Sequence, residues 1–326
     1  MDAVFSWRKA AAVDLPECLN LHPAKKGAEI VGDARARGAW RQLFDMPWTT
    51  RSAVVEWQRN GTTEIVGFGL AAFVKKSFVE AELHHPQPGL NARIIASLAG
   101  GKSVIATYDE VRDANTRGDL QQVILQTSWK DTRLTATERD EVRVLLGLAY
   151  QELHAGYHFS RILVELVDAL DLWHIEGLRV FQVVDRFEAF RRANPGTPWN
   201  QERALVTVTP ESMRNDPHSI AAPLFHHHLD PQFAFTRGEQ QLLEAALEGA
   251  DDASASRALF VSVPAIKHRW KSIFERVAAI RPALCPSDGD GTRGTQKRQR
   301  ILNYVRSHPE ELRPFGIRKS RRIANH

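Results

Sequence analysis

Basic side chains are concentrated in one stretch of the chain, where they could neutralise the phosphates of a polyanion. Residues 257–276 carry five Lys or Arg side chains and a single acidic one, Glu275, whereas residues 235–256 carry one basic and five acidic side chains. The five are Arg257, Lys267, Arg269, Lys271 and Arg276. Lys267, His268 and Lys271 are three or four residues apart, so a helix would present them on one face. A helix of this kind can contact base edges in the major groove of DNA.

Other residue types with possible chemistry occur in weaker patterns. The sequence Gly-Gly-Lys-Ser at 100–103 ends like a phosphate-binding loop, but Ala96 stands where that loop requires glycine. Gly67 and Gly69 lack the third glycine and the following helix start of a dinucleotide site. The runs His84-His85 and 226–228 contain adjacent histidines, which rarely converge on one metal ion. We therefore expect no catalytic residue, no cofactor and no metal.

Composition predicts a soluble, cytoplasmic protein with more than one domain. The chain has 326 residues, of which 43% are hydrophobic, and a net charge of +4. It contains neither a signal peptide nor an apolar run long enough to span a membrane. Only Cys18 and Cys285 are present, which argues against a disulfide framework or a zinc site. Residues 286–326 have ten basic and four acidic side chains, a net of +6, so the remaining 285 residues carry −2.

The first two hundred residues alternate between strand-like and helix-like segments. Residues 52–57 and 64–70 read as strands joined by Asn60-Gly61, a typical hairpin turn. Further strands are predicted at 102–107, 121–127 and 180–184. A long amphipathic helix is predicted from Thr137 to His154 and a second helix from Phe159 to Leu170. This order predicts a mixed α/β domain with a sheet.

The C-terminal third reads as three short helices. Thr236 with Glu239 forms a capping box, Gly249 ends the first helix, and Asp251 or Asp252 starts the second. Ser262 caps a third helix that extends from Val263 to about Val277. Apolar residues recur at spacings that allow the three helices to share a small core.

This three-helix stretch, Phe235 to Val277, resembles the LuxR/GerE family of helix-turn-helix domains over 43 positions without a gap. Thr236 and Glu239 match the start of the family's first helix, Leu242-Leu243 match residues that pack it, and Gly249 matches its end. Leu259, Val261-Ser262 and Ala265-Ile266-Lys267 match the positions where the family's turn and recognition helix begin. The chain departs from the family at Ser254-Ala255-Ser256, where Glu-Ile-Ala is usual. The resemblance implies binding to double-stranded DNA. An ordinary three-helix subdomain and a sigma-factor region-four module remain alternatives.

The N-terminal strand, hairpin and long-helix order is similar to that of GNAT-type N-acetyltransferases. The family's pyrophosphate loop, Gln/Arg-x-x-Gly-x-Gly/Ala, lies between a strand and a helix, and the corresponding residues Trp129 to Arg133 contain no glycine. Without glycine, backbone amides at the helix start are less able to hold a phosphate. We therefore predict a sensory domain rather than an active enzyme here.

The sequence accordingly predicts an α+β protein that acts as a LuxR-type transcription regulator and not as an enzyme. Residues 1–200 form the α/β sensor or acyltransferase-like domain, 201–231 a Pro-rich linker, 232–281 the helix-turn-helix domain and 286–326 a basic tail with a short helix. The predicted DNA contacts are Arg257, Ser262, Lys267, His268, Arg269, Lys271 and Arg276. A small-molecule effector and a homodimer are further expected partners. The alternative is a GNAT-like acyltransferase with a C-terminal helical interaction module.

Overall fold

The computed structural model describes residues 4–21, 34–59, 61–130, 133–167, 181–197, 202–214, 216, 219, 221–226, 229–286 and 294–316. The chain divides into two compact units. Unit 1 comprises Met1–His154 and His158–His226, and unit 2 comprises Ala155–Tyr157 and His227–His326. None of the described helices is long and apolar enough to cross a membrane.

Unit 1 is built on a seven-stranded sheet. Its strands are β1 (Val4–Lys9), β2 (Thr50–Arg59), β3 (Thr62–Phe73), β4 (Leu120–Trp129), β5 (Phe159–Val167), β6 (Gln182–Asp185) and β7 (Arg203–Val208). Their order across the sheet is β1-β2-β3-β4-β5-β7-β6. The β4/β5 pair is parallel, whereas every other neighbouring pair is antiparallel. The predicted mixed α/β domain is therefore confirmed, and β2 and β3 form the predicted hairpin, with Gly61 at φ 78°.

Helices cover both faces of this sheet. They are α1 (Leu15–Asn20), α2 (Ala34–Phe44), α3 (Lys76–His84), α4 (Leu90–Ala99), α5 (Tyr108–Arg117), α6 (Ala136–His154), α7 (Glu188–Ala193), α8 (Pro210–Arg214) and α9 (Pro223–His226). The long helix α6 packs on one face of β1, β2 and β3. A Cβ at Gly67 would lie 2.8 Å from Val142 Cγ1, so glycine permits the close approach of α6 to β3. The opposite face carries the main core, which includes residues of α1, α2 and α4.

Three predicted segments differ from the structure. Residues Phe159–Val167 form the strand β5 and not a helix, because they pair with both β4 and β7. Residues 102–107 contribute only an isolated bridge, Val74 to Ile105. The predicted linker 201–231 contains β7, which is buried along its whole length. The prolines of this segment all follow the strand, so they do not interrupt it.

The regular secondary structure described in unit 2 is entirely helical. It contains α10 (Arg237–Leu247), α11 (Asp252–Ala258), α12 (Val263–Ile280) and α13 (Gly294–Ser307), together with 3-10 turns at Pro282–Leu284 and Pro309–Leu312. The predicted caps are present: Thr236 accepts a hydrogen bond from Glu239 N, Asp251 from Ser254 N and Ser262 from Ala265 N. Helix α13, predicted as part of a tail, buries Ile301 and Val305 in the common core of the unit.

Candidate active site

The two parallel strands of unit 1 separate partway along their length. β4 pairs with β5 from Leu120 and Phe159 up to Ile124 and Val164, and no further. Beyond that point β4 continues beside β3 as far as Trp129, while β5 continues beside β7 as far as Val167. The two strands are therefore unpaired with each other between residues 125–129 and 165–167, and we call this region the strand gap.

A β-bulge accounts for the position of the strand gap. Leu70 of β3 faces Gln126, and Ala71 faces Ile124, so Leu125 has no partner across the β3/β4 ladder. A bulge of this kind bends its strand and increases the local twist. The bend thus occurs at the first residue of β4 that no longer pairs with β5.

The first turn of α4 connects the two strands where they separate. Glu165 of β5 accepts hydrogen bonds from the backbone N–H groups of Gly89 (3.0 Å) and Leu90 (2.5 Å). On the other side, the Asn91 side-chain amide donates to the carbonyl oxygen of Leu125. Gly89 has φ 80°, a left-handed conformation that favours glycine. We call residues 89–91 the bridging turn.

Glu165 is held by an ion pair as well as by the bridging turn. Arg203 of β7 donates from Nη1 to Glu165 at 3.0 Å, and their side chains are only 7% and 3% exposed, respectively. A buried carboxylate requires such partners, since burying an unpaired charge is costly. Because these partners already occupy its oxygens, Glu165 fits a structural role and not that of a general base.

Two buried polar atoms close to the strand gap have no hydrogen-bond partner among the described residues: Ser128 Oγ and Asn91 Oδ1. Across the β3/β4 ladder, Ser128 faces Phe68 and Gln126 faces Leu70, so Ser128 and Gln126 lie on the sheet face that carries the main core. Ser128 is 5% exposed and Gln126 is 7% exposed. An orphaned buried polar atom costs on the order of 1–3 kcal/mol. A ligand in the strand gap would remove that cost.

Cationic side chains gather where β4 leads into α6. Lys130 Nζ binds the carboxylate of Glu64, and Arg133 Nη1 lies 3.2 Å from the same oxygen. Arg133 and Glu64, with Trp57, Arg59 and Thr62, line a shallow depression of about 350 Å³. The two residues between Lys130 and Arg133 lie outside the described part of the chain.

The first turn of α6 is closed by its own side chains. Thr135 N donates to the Glu138 carboxylate at 2.7 Å, and Glu138 N donates to Thr135 Oγ1 at 3.3 Å. The bonds from the backbone and the hydroxyl of Thr135 hold the pKa of Glu138 below its usual value. An ionised carboxylate therefore occupies the helix end where a phosphate would otherwise be favoured.

The sequence motifs with possible chemistry have structural roles here. Gly100 and Gly101 end α4, with Gly101 at φ 75°, whereas a phosphate-binding loop would precede a helix. His226 ends α9, and the two histidines after it lie outside the described residues. In the part of the chain that is described, no group of three His, Cys, Asp or Glu side chains could hold a metal.

Some of the predicted DNA-contact residues instead connect helices of unit 2. Arg269 Nη1 donates to the carbonyl of Gly238 at 3.4 Å, and Arg276 Nε lies 3.5 Å from the buried carboxylate of Glu239. Lys271 lies 3.8 Å from Glu275, one turn along the same helix. The remaining four are exposed, with Arg257 in α11, Ser262 as the cap of α12, and Lys267 and His268 on its first turns.

The residues around the strand gap were not identified from the sequence. Asn91, Leu125, Ser128 and Glu165 come from three separate elements. Gln126 and Ser128 are polar residues at alternate positions of β4, but the strand also contains Gln121, Gln122 and Thr127, so its sequence held no distinct signal for them. The bulge and the bridging turn depend on pairing between distant segments, which a single sequence does not display.

Comparisons with known proteins give only distant structural similarity. No family model and no curated protein sequence matches the chain. The C-terminal condensation domain of Ebony in complex with beta-alanyl-dopamine matches at TM-score 0.39 and 10% identity, covering 64% of this chain and 100% of that one. FeeM, an N-acyl amino acid synthase from uncultured soil microbes, matches at TM-score 0.34 and 11% identity, covering 68% and 97%. Aminoglycoside acetyltransferase AAC(6')-Ib in complex with coenzyme A matches at TM-score 0.32 and 12% identity, covering 66% and 99%.

These structures have GNAT-type acyltransferase folds, and they correct the functional prediction from sequence. The prediction of a transcription regulator that binds double-stranded DNA and is not an enzyme is wrong, and no match supports a LuxR/GerE domain. The assignment of Arg257, Ser262, Lys267, His268, Arg269, Lys271 and Arg276 to individual contacts stays a prediction, without the partner that it presupposed. At these TM-scores the likeness transfers no substrate or mechanism, so the chain's own geometry must supply the argument.

Proposed function

We propose that unit 1 is an N-acyltransferase that moves an acyl group from a coenzyme A thioester to an amine. The observation that carries the proposal is the strand gap: one parallel strand pair in an otherwise antiparallel sheet, opened at a bulge in β4. This arrangement supports the acyltransferase alternative drawn from the strand and helix order.

The strand gap suits an extended ligand that contains amides. From Gln126 to Trp129, β4 pairs with β3 on one edge, and no described strand pairs with its other edge. Backbone groups on an open strand edge bind extended chains by adding hydrogen bonds like those of a further strand. The pantetheine arm of coenzyme A carries two amides on a linear chain, which matches this edge.

The phosphates of coenzyme A would meet side chains rather than helix amides. Because Glu138 closes the first turn of α6, that helix end is a poor anion site. Lys130 and Arg133 stand at the end of β4 and share the carboxylate of Glu64, and Lys130 Nζ also lies 3.9 Å from Glu17. The Arg133 side chain is 68% exposed, so its guanidinium is accessible to a phosphate, and we assign phosphate binding to Arg133 together with Lys130.

The proposed reaction needs little from the protein besides positioning and polarisation. The amine nitrogen attacks the thioester carbonyl carbon, the C–N bond forms and the C–S bond breaks, and the proton lost by the amine goes to the departing thiolate. We assign to the Ser128 hydroxyl a hydrogen bond to the carbonyl oxygen, which gains negative charge during attack. The Ser128 hydroxyl is hydrogen-bonded to no carboxylate or imidazole among the described residues, which favours an amine that arrives uncharged.

The test is calorimetric titration of the full chain with acetyl-CoA, followed by measurement of thiol release in the presence of primary amines. We expect saturable binding that Lys130→Ala and Arg133→Ala each weaken. Arg117→Ala is the matched control, because Arg117 is an exposed arginine that pairs with Asp119 at the end of α5. An absence of binding by the unaltered chain, or equal weakening by the control, would contradict the proposal.

A further inference from the structure

The turn between α11 and α12 holds a phenylalanine in a backbone conformation that favours glycine. Helix α11 ends at Ala258, and Val261 N donates to the carbonyl oxygen of Ser256 at 3.1 Å across the turn. Phe260 lies inside this turn at φ 52°. Helices that end in this way usually have glycine at that position, because a side chain there costs conformational energy. The local backbone therefore gives no reason for a phenylalanine here.

The Phe260 ring does not stabilise the core of unit 2 either. It is 95% exposed, whereas its neighbours Leu259 and Val261 are partly buried and pack against that core. In the described part of unit 2 the other exposed large apolar side chains are Leu229 and Ile280, and neither lies in this turn or in the first turns of α12. A bulky residue that is strained and exposed at once indicates a role outside the fold.

Exposed basic side chains lie close to Phe260 along the chain. Lys267, His268 and Lys271 are exposed on one face of α12, and the exposed Arg257 lies three residues before Phe260. The chain from Phe260 to Lys271 spans at most about 23 Å, at about 3.6 Å per residue before α12 and about 1.5 Å per residue within it. One interface of about 800 Å² per partner can cover this length. We call these five residues the Phe260 patch.

The positive charge of the Phe260 patch is not neutralised by the stretch of chain that forms it. Residues 257–276 contain a single acidic residue, Glu275, which lies 3.8 Å from Lys271. The two side chains of this pair are 67% and 74% exposed, so their attraction is weak. The same stretch has no second carboxylate for Arg257 or Lys267. The patch therefore presents an aromatic ring beside uncompensated cations.

We propose that the Phe260 patch is a docking surface for an acidic protein segment that carries a large apolar side chain. The apolar side chain would pack on the Phe260 ring, and the carboxylates would face Arg257 and Lys267. Protein interfaces typically combine a central aromatic anchor with a charged rim, and opposite charge speeds association. A lipid surface fits less well, because an interfacial helix inserts an apolar face of several side chains. This inference is independent of the proposed function.

The test is selection of random peptides displayed on phage against the immobilised full chain, followed by titration of the selected peptides by fluorescence anisotropy. We expect these peptides to be rich in Asp and Glu around a large apolar residue. Phe260→Gly should weaken their binding by about tenfold or more, because the anchor is lost. The glycine suits the left-handed turn, so this loss would not come from unfolding. Lys267→Glu should weaken binding by roughly threefold or more and make it less sensitive to salt.

Two matched controls test whether the effect belongs to the Phe260 patch. Ile280→Ser removes an apolar side chain that is 51% exposed at the other end of α12, and Arg306→Glu reverses the charge of an exposed arginine on α13. Both should leave the affinity nearly unchanged. Selected peptides that lack acidic residues, or that Phe260→Gly binds as tightly, would overturn the inference. Binding to phosphatidylserine vesicles or to a DNA duplex that Phe260→Gly weakens, with no such peptide selected, would overturn the assignment to a protein partner.

Discussion

Replacing Ser128 by alanine should make unit 1 more stable while weakening its reaction. The Ser128 hydroxyl is buried and has no partner among the described residues. A buried hydroxyl without a hydrogen bond costs about 1–3 kcal/mol, and alanine removes that cost without leaving an apolar void. We therefore expect Ser128→Ala to raise the free energy of unfolding by about 1–2 kcal/mol.

For a domain of about 150–250 residues, 1 kcal/mol corresponds to roughly 2–4 °C in Tm, so the melting transition should rise by roughly 2–8 °C. Calorimetry of the unliganded chain measures this shift. Thr127→Ala is the control, because Thr127 is the exposed neighbour on the opposite face of β4. It should leave Tm nearly unchanged, since most exposed substitutions have small effects.

The same variant should lower kcat for acyl transfer, because the proposed donor to the carbonyl oxygen is lost. Removing one such donor typically reduces kcat by about 10²–10³-fold. A lower Tm for Ser128→Ala would show that the hydroxyl already has a stabilising partner and would refute the reasoning. Unchanged turnover together with a raised Tm would show that Ser128 takes no part in the reaction.

Three further predictions concern stability and reactivity. Phe260 is 95% exposed at φ 52° just after α11, so Phe260→Gly should stabilise unit 2 by about 1 kcal/mol in urea unfolding; a loss of stability would contradict this. The Arg8 guanidinium lowers the pKa of Asp14, so the Arg8–Asp14 ion pair stabilises the fold above pH about 4, and this stabilisation is lost as the pH falls through the depressed pKa. Asp14→Asn should therefore make the free energy of unfolding less dependent on pH in acid. Burial raises the pKa of Cys18 to about 12, so a thiol reagent at pH 8 should modify it only upon unfolding, and rapid native modification would disprove that.

Local patterns in the sequence predicted much of the secondary structure. The β2/β3 hairpin follows from Asn60-Gly61 between strand-like runs, and the caps at Thr236, Asp251 and Ser262 follow from single residues. These features depend on neighbours only a few positions apart, so a single sequence contains the information that specifies them.

The strand β5 shows why other features could not be predicted. Its apolar residues include Phe159, Ile162, Leu163, Leu166 and Val167, a spacing that fits one face of a helix as well as a strand buried on both faces. Pairing with β4 and β7 decides between the two. The strand gap depends on the same distant pairing.

The wrong prediction of a DNA-binding function has a related cause. Many helical units contain three capped helices of which the third is basic, so this pattern is not specific to DNA-binding domains. The charges of Arg269 and Arg276 suggested a polyanion as the partner. In the folded unit Arg269 donates to the carbonyl of Gly238, and Arg276 pairs with Glu239. A sequence shows which charges are present but not which of them the fold uses internally.

Hydrogen–deuterium exchange of the full chain, with and without saturating acetyl-CoA, tests the central claim most directly. If the thioester arm binds along the open edge of β4, exchange should slow in peptides that cover 125–130 and 163–167, where the two strands separate. Exchange in peptides of α10 to α12 should be unchanged. Protection absent from both strand segments, at a concentration where acetyl-CoA is bound, would contradict the account.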